Sequence, residues 1–413
     1  MRLFSRLSAA LLGAAVAFAP ACSGGARTDV VLVGEYGSMT GPEATFGQST
    51  HNGVMLAIDE INAGGGLNGK KLEVKSYDDQ GKSQEAGTAV TRLITEDQVV
   101  AVIGEVASSL SIAGGRVAQQ YRVPMISPSS TNAQVTQVGD MISRVCFVDS
   151  FQGYVAAKFA HEDLKATKVA VLYDQGQAYS KGLKDDFSRE FTALGGSIVT
   201  EQAYTGGDQD FSAQLTTIRE TEPDAIFVPG YYTGVGNISI QARKLGITVP
   251  LLGGDGWDSS QLGAIAGEAI EGSFYSNHYS DQEDRPAVKK FVDAYKAKNK
   301  GETPDGLAAL GYDATMLLFD AMKRSPSLSG DDLGKAIAAT KDFPGVTGNI
   351  TMDANRDAQK PAVMVRMQGG KPTYVTTIYP KGMEPAAPAA PAAPEAPAAP
   401  EAPAAPEAPP AGK

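Results

Sequence analysis

Between about residue 29 and residue 379, short apolar runs alternate with longer stretches in which apolar residues recur every three or four positions. The runs at 30–34, 71–77, 99–104 and 124–127 predict strands, being short, rich in Val and Ile, and bounded by Gly, Asn and Asp. The stretches between them, 46–63, 83–96 and 109–121, predict helices. In the first of these Val54, Ile58 and Ile61 share one face. The pattern then restarts. Strands are expected at 168–173, 197–203, 225–229 and 250–253, with helices at 179–194, 211–221 and 234–245. A run at 272–279 is expected to turn back toward the first unit. Helices at 286–300, 306–323 and 331–340 and β-rich segments at 349–352, 362–367 and 374–379 complete the set. Near-continuous apolar strands separated by amphipathic helices indicate parallel sheets covered on both faces. The expectation is therefore an α/β fold of two doubly wound lobes, joined near 147–151. Its ligand cleft should lie where loops leave the carboxyl ends of the strands.

Both ends of the chain break this pattern. Arg2 and Arg6 precede an apolar run over residues 7–18, too short to span a bilayer but suited to an export signal. The following Ala19-Pro20-Ala21-Cys22 fits ordinary cleavage after Ala21, giving a signal peptide over 1–21. It also resembles a bacterial lipobox, with Ala19 where Leu is usual and Cys22 as the lipidated first residue. We favour the lipoprotein reading; either one puts the protein in the periplasm or cell envelope. At the other end, residues 384–413 repeat Pro, Ala and Glu, a composition that cannot bury a core and reads as a disordered acidic tail.

Composition removes several classes of function. With 36 Lys and Arg against 47 Asp and Glu, the net charge is -11, which argues against nucleic acid as a partner. Two Cys and three His leave little for a disulfide scaffold or a zinc site. Cys146, inside an apolar run, is expected to be a buried free thiol. His51 and His161 fall in predicted helices as surface residues. Residues 64–69 satisfy G-x-G-x-x-G, but they follow a helix and precede a strand, the reverse of a dinucleotide site. Residues 353–364 begin like a calcium loop, but have Ala358 and Met364 where Gly and Glu are required. No nucleophile or metal motif is evident, so neither catalytic residues nor a cofactor is expected.

Polar residues do gather at the predicted strand ends. The strand ending at Gly104 runs into Glu105, Ser108 and Ser109, and the next ends in Ser127, Ser129, Ser130 and Thr131. Two hydroxyl-rich loops at helix starts suit a carboxylate, although simple helix capping would use the same residues. In the second unit the strand ends lead to Tyr179, to Tyr231 and Tyr232, and to Asp255 and Trp257. An acid among aromatics can hold an ammonium group, although Asp255 could equally be a helix cap and Trp257 a packing residue. An anion site on one lobe facing an acidic site on the other would suit a zwitterion.

The chain resembles the branched-chain amino-acid-binding (Leu/Ile/Val-type) receptors of bacterial ABC importers, which have the type I periplasmic-binding fold. The resemblance covers nearly all of 28–380. It is carried by Gly41-Pro42 with Phe46-Gly47, by Ala57-Ile58-Asp59-Glu60-Ile61-Asn62, and by Tyr77-Asp78-Asp79. Ile103-Gly104 with Ser108-Ser109, Pro128 with Thr131, Tyr173-Asp174 with Tyr179, Asp210-Phe211, Gly253–Asp255 and Gly311-Tyr312-Asp313-Ala314 extend it. It implies two lobes joined by three hinge crossovers: a first lobe over 28–148 with a return at 278–350, and a second over 149–277 with a return at 351–380. It further implies an amino-acid ligand, aliphatic or branched-chain, and an inner-membrane ABC permease as partner, while the 19–22 sequence predicts membrane attachment through Cys22. The alternative is a ligand sensor, or a receptor for a different small molecule such as an amide or aromatic acid, on the same fold. By position Ser108, Ser129 and Thr131 match the residues that bind the ligand carboxylate. Tyr231 and Asp255 match those that hold the ammonium group, with Asp255 replacing the usual Glu. Tyr179 matches a cleft aromatic and Phe46 a side-chain-pocket aromatic. Ala308 stands where some members carry Phe, and Gly81 and Ala107 stand where some members carry a disulfide.

Overall fold

The computed structural model describes residues 29–383, so the leader with Cys22 and the segment 384–413 lie outside the described residues. In the first lobe, β1 (Val30–Gly37), β2 (Lys71–Asp78), β3 (Val102–Ile103), β4 (Met125–Ser127) and β5 (Ile142–Arg144) form a parallel sheet in the order β2-β1-β3-β4-β5. Parallel neighbours require crossovers, supplied here by α1 (Ala44–Ala63), α2 (Ser83–Thr95), α3 (Ser108–Gln120) and the short α4 (Gln134–Gln137). The second lobe repeats the design. Its strands β6 (Lys168–Asp174), β7 (Ser197–Tyr204), β8 (Ala225–Phe227), β9 (Leu251–Gly253) and β10 (Phe274–Asn277) are parallel. Its helices are α5 (Asp149–Lys158), α6 (Ala178–Ala193), α7 (Ser212–Glu220), α8 (Tyr232–Lys244) and α9 (Ser260–Ala266).

The rest of the chain serves both lobes. Helices α10 (Pro286–Lys298), α11 (Gly306–Arg324) and α12 (Gly330–Ala338) return to the first lobe. Strands β11 (Phe343–Gly345), β12 (Gly348–Met352) and β13 (Ala358–Gln359) make a small antiparallel sheet. Finally β14 (Ala362–Gln368) and β15 (Lys371–Ile378) add antiparallel to the edge of the second sheet beside β10. The expected α/β architecture of two doubly wound sheets is the one observed.

Differences from the sequence pattern have physical reasons. Strand β5 and helix α5 carry no clear period. Helix α5 buries Asp149, Gln152 and Gly153 together with Val155, Ala156 and Ala157, so polar and apolar residues are mixed on its buried surface. The run at 272–279 does not turn back to the first lobe, because β10 is paired on both sides within the second sheet. The last return is displaced too. Ile350, Met352 and Ala358 pack in one core cluster with Val31 and Leu310, so residues 351–359 sit with the first lobe and not the second. The chain thus passes between lobes at 145–148, just after β10, and at 360–361. These passages touch one another. The Phe147 ring stacks on His278 at 3.8 Å, and Lys360 Nζ donates to the Val145 carbonyl at 3.4 Å.

Helices α1 and α11 cross with almost no space between them. A Cβ on Gly53 would lie 1.9 Å from the Ala308 carbonyl oxygen. Gly53→Ala is therefore expected to lower unfolding free energy by about 1–3 kcal/mol, the usual cost of overpacking, measured by urea denaturation. An unchanged midpoint would contradict this close crossing.

Candidate functional site

The loops that leave β3 and β4 are fixed from behind. Ser127 Oγ and Ser130 Oγ both donate to the Glu105 carbonyl, at 2.9 and 2.8 Å. Buried Arg144 spans the same loop, donating to the carbonyls of Ser130 at 2.6 Å and Asn132 at 2.8 Å, and pairs with Asp357. Two of the four hydroxyls in this loop are thus consumed internally. Ser129 Oγ is buried without a protein partner, and Thr131 Oγ1 stands beside the Asp149 carboxyl without a well-formed hydrogen bond. Ser108 opens α3, and its Oγ accepts the Asn132 N–H at 3.2 Å, which draws the two loops together. A buried hydroxyl without a partner is unfavourable, and next to a helix N-terminus it is well placed to donate to an anion.

The second lobe presents different chemistry across the gap. Tyr179 lies in the first turn of α6, Tyr231 immediately precedes α8, and Asp255 follows β9. The Tyr179 and Tyr231 rings stack at 5.4 Å and 8°, and the Tyr231 hydroxyl is buried with no protein partner. Gly256 permits this arrangement, since a Cβ there would lie 3.0 Å from each ring. Its N–H donates to the Tyr179 hydroxyl at 3.2 Å. Asp255 is 4% exposed. Its Oδ1 accepts from Gln152 Nε2 at 2.8 Å, and its Oδ2 lies 2.9 Å from His278 Nε2. Burial pushes the His278 imidazole down to about 4, against the upward pull of Asp255, so the ring is neutral near pH 7.

The lobes meet around one small cavity. It is lined by Phe46, Val106, Ser129, Thr131 and Leu307 from one side and Tyr179, Tyr231, Asp255 and Gly256 from the other. Phe46 enters edge-on between Tyr231 and Tyr232, at 5.4 and 5.2 Å. Hydrogen bonds close the rim. Tyr232 donates to the Pro42 carbonyl at 2.9 Å, the Thr45 and Ser259 hydroxyls lie 2.9 Å apart, and Asn132 Nδ2 donates to the Ala178 carbonyl at 2.8 Å.

Of the residues singled out in the sequence, Phe46, Ser129, Thr131, Tyr179, Tyr231 and Asp255 line this one cavity, and Ser108 sits buried behind it. Ala308 does not line it. Its carbonyl is turned against Gly53 of α1, and the neighbouring Leu307 faces the cavity instead. Trp257 packs in the core, donating Nε1–H to the Val228 carbonyl at 3.0 Å. Cys146 is the free buried thiol expected, its pKa pushed up to about 12 by burial. His51 is half-buried and paired with Glu35 at 2.7 Å, not a plain surface residue. Pattern reasoning missed Gln152 and His278, which carry no local motif. It also missed a buried acid pair. Ser38 Oγ lies 3.0 Å from a carboxyl oxygen of both Asp79 and Glu105, and Glu105 accepts the Ala107 N–H at the entry to α3.

A family model described as periplasmic binding protein matches residues 31–371. The chain is 31% identical to the leucine-, isoleucine-, valine-, threonine- and alanine-binding protein of Pseudomonas aeruginosa, over 84% of this chain and 92% of that one. Among solved structures it resembles a leucine-binding protein of Thermotoga maritima, with TM-score 0.81 and 40% identity, over 85% of this chain and 99% of that one. It also resembles a branched-chain amino-acid transporter substrate-binding protein of Streptococcus pneumoniae in complex with isoleucine. There the TM-score is 0.80 and the identity 35%, over 85% of this chain and all of that one.

The acid pair gives the fold a pH signature. Burial, and then the neighbouring Asp79, raises Glu105 from its ordinary 4.5 to about 8, while burial raises Asp79 to about 6. A carboxyl raised on folding binds more protons in the native state than in the unfolded one. Its contribution is therefore complete below about pH 4.5 and is lost as pH rises toward 8. Glu105→Gln removes the larger part of this dependence. Urea titrations from pH 5 to 8.5 should show the variant gaining on the parent by on the order of 3 kcal/mol. Parallel profiles would rule out a protonated Glu105.

Proposed function

The chain belongs to the periplasmic binding protein family, and on that premise we propose that it is an extracytoplasmic receptor for an aliphatic amino acid. Its ligand is leucine, isoleucine or valine, delivered to an ABC permease in the inner membrane. The relatives are solute-binding receptors and not enzymes. The observation that carries the ligand assignment is the pairing of chemistries across one small cavity. Unpartnered hydroxyls at the start of a helix face a buried carboxylate with stacked tyrosines. An amino-acid zwitterion satisfies both ends at once. Its carboxylate takes Ser129, Thr131 and the α3 N-terminus with Ser108, and its ammonium group takes Asp255 and the Tyr231 hydroxyl. Phe46, Val106 and Leu307 then contact the side chain. The proposal includes cleavage before Cys22 and a lipid on that residue, holding the receptor at the cell envelope; the basis is the 19–22 sequence.

After unfolding and refolding to strip carried-over ligand, a thermal-shift screen of the twenty amino acids should give clear rises with Leu, Ile and Val. A ligand at about 100 times Kd contributes about 2.7 kcal/mol. Asp255→Asn keeps the shape and removes the charge, and calorimetry should show leucine binding weakened by about 2–5 kcal/mol. A rise only with ligands lacking an amine, or an unchanged Kd in the variant, would overturn the assignment.

A further inference from the structure

The carboxylate assigned to the ammonium group is not free to aim itself. Asp255 is a short acid, and both its oxygens are held from the hinge side. Gln152, at the start of α5, follows the first crossover, and its Nε2 also donates to Ser276 Oγ at 3.1 Å. His278 lies at the second crossover, directly after β10. Its ring is fully buried, stacks on Phe147 of the first crossover at 3.8 Å and 26°, and does not line the cavity.

The cost of this ring indicates its use. His278 Nδ1 is buried with no hydrogen-bond partner, a destabilising feature that a phenylalanine stacked in the same place would avoid. What phenylalanine could not supply is the contact from Nε2 to Asp255. The charged groups acting on the imidazole are Asp255, in contact with it, and Lys360 of the third crossover. A neutral ring with a bare Nδ1 must carry its hydrogen on Nε2, and so donates to the carboxylate. A charged ring would pair with Asp255 and compete with the ligand for it.

We propose that His278 is a positioning residue for the ammonium end of the ligand. As a neutral imidazole it donates Nε2–H to Asp255, points the carboxylate into the cleft, and makes that aim depend on how the crossovers pack. This rests on the amino-acid reading of the cleft, so the test needs one arm that uses no ligand.

The binding arm compares His278→Phe with His278→Gln, using leucine in calorimetry. Phenylalanine keeps the stack on Phe147 and removes the donor; glutamine places an N–H donor at the same reach and removes the stack. The expected result is at least a tenfold rise in Kd for His278→Phe and no more than about a threefold rise for His278→Gln. A wild-type Kd in His278→Phe overturns the proposal. So does an equal loss in both variants, since that would mark simple packing. The ligand-free arm is nitrogen-15 NMR of the histidines in the wild-type chain at pH 7. The Nε2–H tautomer is expected for His278, with a shifted Nε2 signal in Asp255→Asn. A Nδ1–H tautomer or a charged ring overturns the proposal. Should the wild-type chain bind no amino acid, the receptor reading fails while the NMR arm still decides the role of His278.

Discussion

A carboxylate removed from water must find charge or hydrogen bonds inside the protein, and much of this cleft is arranged around one such group. Among the described residues Asp255 forms no ion pair with Lys or Arg, and its two contacts are with the neutral groups of Gln152 and His278. Neutral donors soften the burial of a negative charge without cancelling it. On the receptor reading, Asp255 at the wall of this small cavity is the partner for a cation that can also donate hydrogen bonds. The hydroxyls on the opposite wall impose the complementary condition. Ser129 Oγ and Thr131 Oγ1 are buried without a well-formed hydrogen bond and are favourably placed only beside a polar group.

The fold supplies these opposed walls through one repeated rule. Strands end at the sheet edge, loops turn, and helices begin, so side chains at strand ends converge from several segments far apart in sequence. The loops are then braced by residues that never reach the cavity. Arg144 holds the loop bearing Ser129 and Thr131 through two carbonyls and an ion pair with Asp357. Asp258 similarly ties the lobes, accepting from the Tyr275 hydroxyl at 3.0 Å and from the Gly306 N–H of α11 at 2.6 Å. Glycine appears where bulk is impossible. At Gly254 a Cβ would lie 2.5 Å from the Tyr179 hydroxyl and 2.8 Å from Gln152 Nε2. The Asp255 turn can therefore come close to the aromatic pair only because its neighbours lack side chains.

What was legible in the sequence follows from this arrangement. Short Val- and Ile-rich runs gave the strands, and the residues just beyond them gave most of the cavity wall, because in this architecture strand ends are where ligand chemistry gathers. Gln152 and His278 were hidden for the opposite reason. They act from chain crossovers, and no local period or motif marks a residue whose partner is over twenty or a hundred positions away. Helix α5 was missed because its buried surface mixes Asp and Gln with Ala and Val. The choice between Ala308 and Leu307 depends on one helical residue's rotation of α11 against α1. The close crossings at Gly53 and Gly311 fix that rotation.

The two kinds of contact in the cavity do not discriminate equally. Phe46, Val106 and Leu307 offer an apolar surface, and an apolar pocket separates ligands differing by one methylene only about 10–200-fold. The polar ends are far more exacting, because a ligand lacking the amine would leave Asp255 buried without a cation and the Tyr231 hydroxyl without a partner. On the receptor reading, the amino-acid backbone is thus recognised strictly and the side chain tolerantly. Such a division favours a receptor for a small set of aliphatic amino acids over one for a single member. It also places the strongest demand for accuracy on the orientation of Asp255, which is why the two groups that hold this carboxylate matter as much as those that would touch the ligand.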